Sequence, residues 1–279
     1  MEKPNRFGHA PVPFRFPPHE LTYFLVQALS ANVMRGPHTP QRTTARRAST
    51  PFWIVRTRPR HADGVAHVIR RAHGVGDDKP CASCPTPAIV RQQIVTFPHG
   101  QFVAVSAGGD QERVLGAAML MRTDYPPSER PRKWLQAIGG LDLRNHDPNG
   151  RWLYGVDMAV DPAVQGQGVG SALYRRRQAL VRELVLDGMY AGGMLKGYRH
   201  YRNHMSPSEY AVRVRSGEID DPTVTMQLNR GFRAAGVIEE YADDPESGNC
   251  AMLIVWRPGA DQRPRRPRRA HDAERNAAT

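Results

Sequence analysis

With 279 residues, 40% of them hydrophobic, the chain is long enough for one or two domains with a buried core, which excludes a wholly disordered protein. The longest apolar stretch, residues 21–34, is interrupted by Gln27, Ser30 and Asn32 and falls short of the ~18–20 residues that span a bilayer, so no transmembrane helix is expected. The net charge of +12 gathers at the ends, about +5 on residues 1–50 and +3 on residues 259–279, leaving an ordinary balance between them that argues against a nucleic-acid-binding middle.

Residues 1–50 are rich in Pro and scattered Arg, a composition that does not bury enough apolar surface to offset ordering entropy, and disorder is expected there. No apolar block follows a short basic start, so no secretory signal is read and a cytoplasmic location is expected. Met34, just ahead of a Gly-Pro break, is an alternative start. Phe52 to Thr57 is a β-branched and aromatic run predicted as the first strand. Ala62, Val65, Ala66, Ile69 and Ala72 then repeat at helical spacing, with Asp63 in the first turn and Gly74 as a stop.

The next segment, Gly74 to Pro87, reads as a loop that holds Cys81 and Cys84. Three cysteines, an odd number, do not make a disulfide framework, so reduced thiols are expected. A single CxxC lacks the second ligand pair of a zinc ribbon, and His61, His67 and His73 fall on the helical pattern, so no metal is expected. Ala88 to Phe97 reads as a helix ended by Pro98. Gln101–Ala107 and Glu112–Arg122 flank Gly108-Gly109-Asp110 as a β-hairpin.

Trp152 to Val160 is the next strand, stopped by Asp161-Pro162, and a helix runs from the following glycine-rich turn to about Leu186. Met189–Leu195, a long connection over 196–221, a helix over Pro222–Arg230, and strands over Phe232–Tyr241 and Cys250–Trp256 complete the order. It is a mixture of α and β around one mainly antiparallel sheet. The Arg-Pro repeat of residues 263–269 closes a second segment expected to be disordered, whose arginines could touch nucleic acid only weakly and without sequence preference.

The informative stretch is Val160-Asp161-Pro162-Ala163-Val164-Gln165-Gly166-Gln167-Gly168-Val169-Gly170-Ser171. A glycine-rich turn from strand into helix exposes backbone N–H groups at the positive end of a helix dipole and suits an anion such as a diphosphate. A plain tight connection is the alternative reading of the turn alone. It is not a P-loop, because no lysine lies in the turn, and the spacing of Gly166, Gly168 and Gly170 is wrong for a Rossmann turn.

These residues resemble the GNAT superfamily of acyl-CoA-dependent N-acyltransferases, whose signature of Gln or Arg, two residues, Gly, one residue, Gly or Ala is filled by Gln165, Gly168 and Gly170. The similarity extends through Phe97-Pro98-His99-Gly100-Gln101-Phe102, Leu153-Tyr154-Gly155, Glu209-Tyr210, Asp221-Pro222, Gly231-Phe232 and Trp256. It covers about residues 51–258 and looks like a subgroup whose module also occurs joined to a nitrilase-like carbon-nitrogen hydrolase. The resemblance implies an α/β (α+β) GNAT fold, a mixed, mainly antiparallel sheet flanked by helices with the diphosphate loop after the fourth strand. It implies acetyl-CoA as co-substrate, no metal, direct transfer to a small-molecule or peptide amine, no membrane, and homodimerisation as an option.

It further implies that backbone groups of Gln165, Gly166, Gln167, Gly168, Val169, Gly170 and Ser171 hold the diphosphate while Met158, Ala159 and Val160 pair with the pantetheine arm. Asp157 falls where the superfamily often places a general base, the alternative being an aspartate that only hydrogen-bonds a neighbouring loop. Gln227 stands where many members have a tyrosine acid, which leaves Tyr154, Tyr198 and Tyr201 as substitutes, Tyr154 being retained as the catalytic candidate. Tyr198, His200 and Tyr201 of the long connection are candidates for an acceptor pocket, or else the packed side of a helical insertion. The missing tyrosine also raises the alternative of a non-catalytic acyl-CoA-binding module.

Overall fold

The computed structural model describes residues 50–76, 79–106 and 112–259. The terminal segments expected to be disordered, 1–49 and 260–279, and the Gly108-Gly109-Asp110 turn lie outside the described residues. In chain order the elements are β1 (Trp53–Arg56), α1 (Ala62–Ala72), α2 (Pro87–Thr96), β2 (Gln101–Ser106), β3 (Arg113–Thr123), α3 (Trp134–Ile138), β4 (Trp152–Val160) and α4 (Val169–Glu183). They continue as β5 (Gly188–Met194), α5 (Pro207–Ser216), α6 (Val224–Leu228), β6 (Arg233–Ile238) and β7 (Ala251–Trp256). Among the described residues no helix is long and apolar enough to cross a membrane.

The strands form one sheet in the order β1-β2-β3-β4-β5-β7-β6. Every neighbouring pair is antiparallel except β4 and β5. Alternation along the strands buries both faces. One face packs Leu115, Leu120 and Leu153 under Leu173 and Leu180 of α4, and the other packs Val103, Met119 and Met121 under Val65 and Ile69 of α1.

The parallel pair governs the architecture. Only Trp152, Leu153 and Tyr154 pair with Gly188, Met189 and Tyr190; beyond them β4 runs on to Val160 beside β3, and β5 runs on to Met194 beside β7. The two strands separate where β4 bulges: Met119 faces Asp157 while Leu120 faces Gly155, leaving Val156 as the extra residue. The bulge reverses the alternation. Leu153 and Met158 face α4, whereas Tyr154, Val156 and Ala159 face the α1 layer, so Asp157, which would otherwise share a face with Gly155, is turned to the α1 side.

Helix α3 was not legible in the sequence, yet it secures this bulge. The Trp134 indole N–H donates to the carbonyl of Val156 at 2.8 Å, and the Trp134 backbone N–H donates to Tyr241 at 2.7 Å. A buried carbonyl left over by a bulge must find a donor, and the indole supplies it.

One expectation is corrected. The CxxC thiols are not reduced: a turn closed by the Cys84 N–H on the Cys81 carbonyl brings the two Cα atoms to 5.3 Å, and Cys81 and Cys84 are joined as a disulfide. Of the two readings of the long connection 196–221, the helical insertion is the one found: it folds as a 3-10 turn followed by α5, which Ser206 caps by accepting the Glu209 N–H at 3.2 Å.

Trp134→Phe removes the indole donor while keeping a ring in place. We expect a loss of about 1–3 kcal/mol in denaturant unfolding, the cost of an unpaired buried carbonyl; an unchanged midpoint would show that the Val156 carbonyl finds another donor.

Candidate active site

A cleft of about 770 Å³ opens where β4 and β5 part, and it is lined from one end by Val164, Gln165, Gly166, Gly168, Gly170 and Ser171. Asp161, the residue that ends β4, sets the loop. Its carboxylate is 2% exposed, accepts the Ala163 N–H at 2.9 Å, and is bracketed by Arg71 at 3.2 Å and Arg113 at 3.0 Å. Burial works to raise the Asp161 pKa, but these donors outweigh it and hold the carboxyl below the usual range.

Gly166 and Gly168 adopt positive φ, +79° and +92°, in the left-handed region that a residue with a Cβ rarely enters. A Cβ at either would point into open space, so backbone conformation and room for a ligand are what select glycine. Helix α4 starts at Val169, and its first internal bond runs from the Ala172 N–H to the Gly168 carbonyl. The N–H groups of residues 168–171 are therefore presented to the cleft without a backbone acceptor among the described residues. Arg230 bonds the Ser171 hydroxyl and adds a cation beside them. These features fit a diphosphate, which would be held by the loop and by Arg230.

The separated edges of β4 and β5 form the walls, with Met158, Ala159 and Val160 on one side and Ala191, Gly192 and Met194 on the other. Beyond the bulge Asp157 faces His73, at the C-terminus of α1: its Oδ2 lies 3.7 Å from His73 Nε2, and its Oδ1 accepts the Met158 N–H at 2.7 Å. The neighbouring Asp157 carboxylate raises the His73 pKa against the opposing effect of burial. Both side chains line the cleft.

Tyr154 reaches the cleft only through a second tyrosine. Its buried hydroxyl lies 2.8 Å from that of Tyr241, which lines the cleft and accepts the Gly192 N–H at 3.3 Å. Burial raises the pKa of both phenols, that of Tyr241 to about 12. Gln227 also lines the cleft, donating to the Tyr174 hydroxyl at 3.0 Å while its Oε1 is buried without a partner.

The remaining sequence candidates fall elsewhere. Tyr198 is buried against Tyr210 and donates to the Met205 carbonyl, Tyr201 packs on Tyr210, and His200 is exposed beside Arg199. None of the three lines the cleft, because the connection that carries them turns its aromatic rings inward onto α5. The cleft is lined instead by Trp134, Tyr241, Asp243, and Asp244, whose carboxylate Lys196 holds at 2.8 Å. Sequence reasoning missed His73, Tyr241 and Arg177. His73 had been absorbed into a helical pattern, and nothing local marked the other two as sharing a cavity.

Comparison with known proteins agrees with this geometry. Residues 83–191 match the Acetyltransferase (GNAT) family. The chain is 29% identical over 164 residues to the uncharacterized N-acetyltransferase YkwB of Bacillus subtilis (strain 168), covering 59% of this chain and 71% of that one. It is also 29% identical over 161 residues to the probable hydrolase YhcX of the same organism, covering 57% of this chain but only 31% of that relative. Among solved structures, a GNAT-like decarboxylase, GphF, in complex with isobutyryl-CoA superposes with a TM-score of 0.61 at 22% identity, over 74% of this chain and 98% of that one. Over residues 83–191 the chain is thus similar to GNAT-family acetyltransferases.

Gly168→Val forces a β-branched residue to φ +92° and fills the space over the loop. We expect a stability loss of about 1–2 kcal/mol and no measurable acetyl-CoA binding by calorimetric titration of a still-folded protein; undiminished affinity would contradict the loop's assignment.

Proposed function

We propose that the protein is an N-acetyltransferase that transfers the acetyl group of acetyl-CoA directly to an amine, with Asp157 and His73 removing the amine's proton. The observation that carries this reading is the joining of three features in one cleft: a glycine loop with free N–H groups, a pair of separated strand edges, and a carboxylate-imidazole pair turned toward them by the β4 bulge.

The chain's residues divide the work. The N–H groups of residues 168–171 and Arg230 bind the diphosphate, and the free edges of β4 and β5 pair with the pantetheine amides as a strand would. The acceptor arrives as an ammonium of pKa about 10 and must lose a proton at a cost of roughly 4 kcal/mol at pH 7 before its nitrogen can form the new C–N bond. Asp157 accepts that proton, and His73, about a third exposed, passes it to solvent. Asp243 and Asp244 at the same end favour a cationic acceptor.

As the C–S bond breaks, the second proton of the attacking nitrogen balances the departing thiolate. Tyr241, whose pKa of about 12 keeps its hydroxyl protonated at neutral pH, is placed in the cleft as a hydrogen-bond donor, with Tyr154 behind it. A thiol of pKa ~8.5 leaves readily enough that a full acid is dispensable. Gln227, an amide that does not protonate a leaving group, is the observation that favours the second reading, a domain that binds acyl-CoA without turnover. Release of CoA thiol on incubation with a panel of amines separates the two: release supports the transferase, and tight binding with no release from any amine supports the second reading.

Asp157→Asn should lower kcat by about 10²–10⁴-fold. Because Asp157 raises the His73 pKa, the wild-type pair stabilises the fold fully below pH ~6.5 and loses that contribution as pH rises through the raised value. The stability difference between wild type and Asp157→Asn should therefore be larger at pH 5.5 than at pH 9, and the His73 resonance should titrate lower in the variant; a His73 titration indifferent to the substitution would break the pairing.

A further inference from the structure

Arg177, on the buried face of α4, has no part in the mechanism above. It is 3% exposed, yet it lines the cleft beside Gly155, Met158 and Ala191. One terminal nitrogen donates to the Met158 sulfur at 3.5 Å, the guanidinium carbon lies 5.1 Å from the centre of the Tyr174 ring, and Nε is buried with no partner. It enters no ion pair with a carboxylate among the described residues. Asp157 is close in sequence to these neighbours, but the bulge turns it to the opposite face of the sheet, toward His73. Burial depresses the pKa of the guanidinium, with Tyr174 and the more distant charge of Asp157 acting in the opposite direction.

A permanent cation withdrawn from water with no carboxylate in contact is costly unless a ligand supplies one. The position of Arg177 says what that is. Tyr154 and Tyr190 are the last paired residues of β4 and β5; the next residues, Gly155 and Ala191, form the apex of the opening, and a Cβ on Gly155 would stand only 2.1 Å from an Arg177 nitrogen. Arg177 also lies nine residues, about 13 Å along the helix axis, from the Gly168 cap where the diphosphate sits. A pantetheine arm crossing that span is neutral, so within an acyl-CoA the group that can bring an anion to the apex is the acyl chain.

We propose that the preferred donor is a CoA thioester whose acyl chain ends in a carboxylate, with Arg177 as the residue that binds it. The proposal rests on the acyl-CoA reading of the cleft and changes which acyl group that cleft favours. A guanidinium matches a carboxylate in geometry as well as charge, through parallel N–H donors, whereas the neutral carbonyl of an acetyl group leaves the buried cation uncompensated.

Butyryl-CoA and succinyl-CoA supply chains of equal carbon number that differ in the terminal carboxylate. Calorimetric titration of the full chain should show succinyl-CoA, or its malonyl or glutaryl counterpart, binding at least tenfold tighter than butyryl-CoA. Arg177→Met, which keeps the volume and removes the charge, should abolish that preference while leaving affinity for CoA itself within about threefold. Equal affinity of wild type for butyryl-CoA and all three carboxylated thioesters overturns the proposal and leaves the acyl-CoA reading intact. Failure of CoA and every thioester to bind overturns both. Should Arg177→Met fail to fold, the wild-type comparison decides alone.

Discussion

The site depends on β4 and β5 ceasing to pair. Three residue pairs hold the strands together, after which each keeps a partner on its other side and exposes a free edge to the gap. Exposed backbone donors and acceptors inside a domain are costly unless a ligand or water satisfies them, so this opening has to be maintained by something outside it. The Val156 bulge bends β4 away, and the Trp134 indole takes up the carbonyl that the bulge leaves over. The same bulge turns Asp157 from one face to the other. The free strand edge and the orientation of Asp157 thus follow from one irregularity.

Charge is divided along the cleft. At the loop end the free N–H groups of α4 are joined by Arg230, suited to a diphosphate, and the loop itself is set from beneath by the Asp161 carboxylate between Arg71 and Arg113. At the apex stands Arg177, whose buried Nε has no partner. On the α1 side the sign reverses, with Asp157, Asp243 and Asp244 against His73 and Lys196. A donor carrying phosphates and an amine acceptor would each meet complementary charge, approaching from opposite sides of the sheet.

Much of this was legible in the sequence because it rests on local rules. Strand β4 was expected over Trp152–Val160 and is found there, since a β-branched and aromatic run stopped by Asp-Pro leaves little freedom; the left-handed glycines of the loop were visible as glycines. What could not be read depended on contacts distant in the chain. Helix α3 is five residues long, too short for periodicity to show, and its value lies in one bond to a residue 22 positions away. His73 looked like a helix terminus until the bulge brought Asp157 to it. Tyr198, His200 and Tyr201 looked available because their connection is long, but the rings of Tyr198 and Tyr201 pack on Tyr210 of α5 and His200 is exposed away from the cleft. The CxxC turn shows the same limit, because residue count alone did not reveal that its turn brings the sulfurs together.

The central claim is that the parted edges of β4 and β5 and the N-terminus of α4 together hold an acyl-CoA. Amide hydrogen exchange of the full chain with and without CoA tests it residue by residue. The account predicts slowed exchange within Met158–Val160, Ala191–Met194 and Gly168–Ser171, the segments of the two strand edges and of the loop that border the cleft. Binding with protection confined to other segments, or with these amides unchanged, would contradict it.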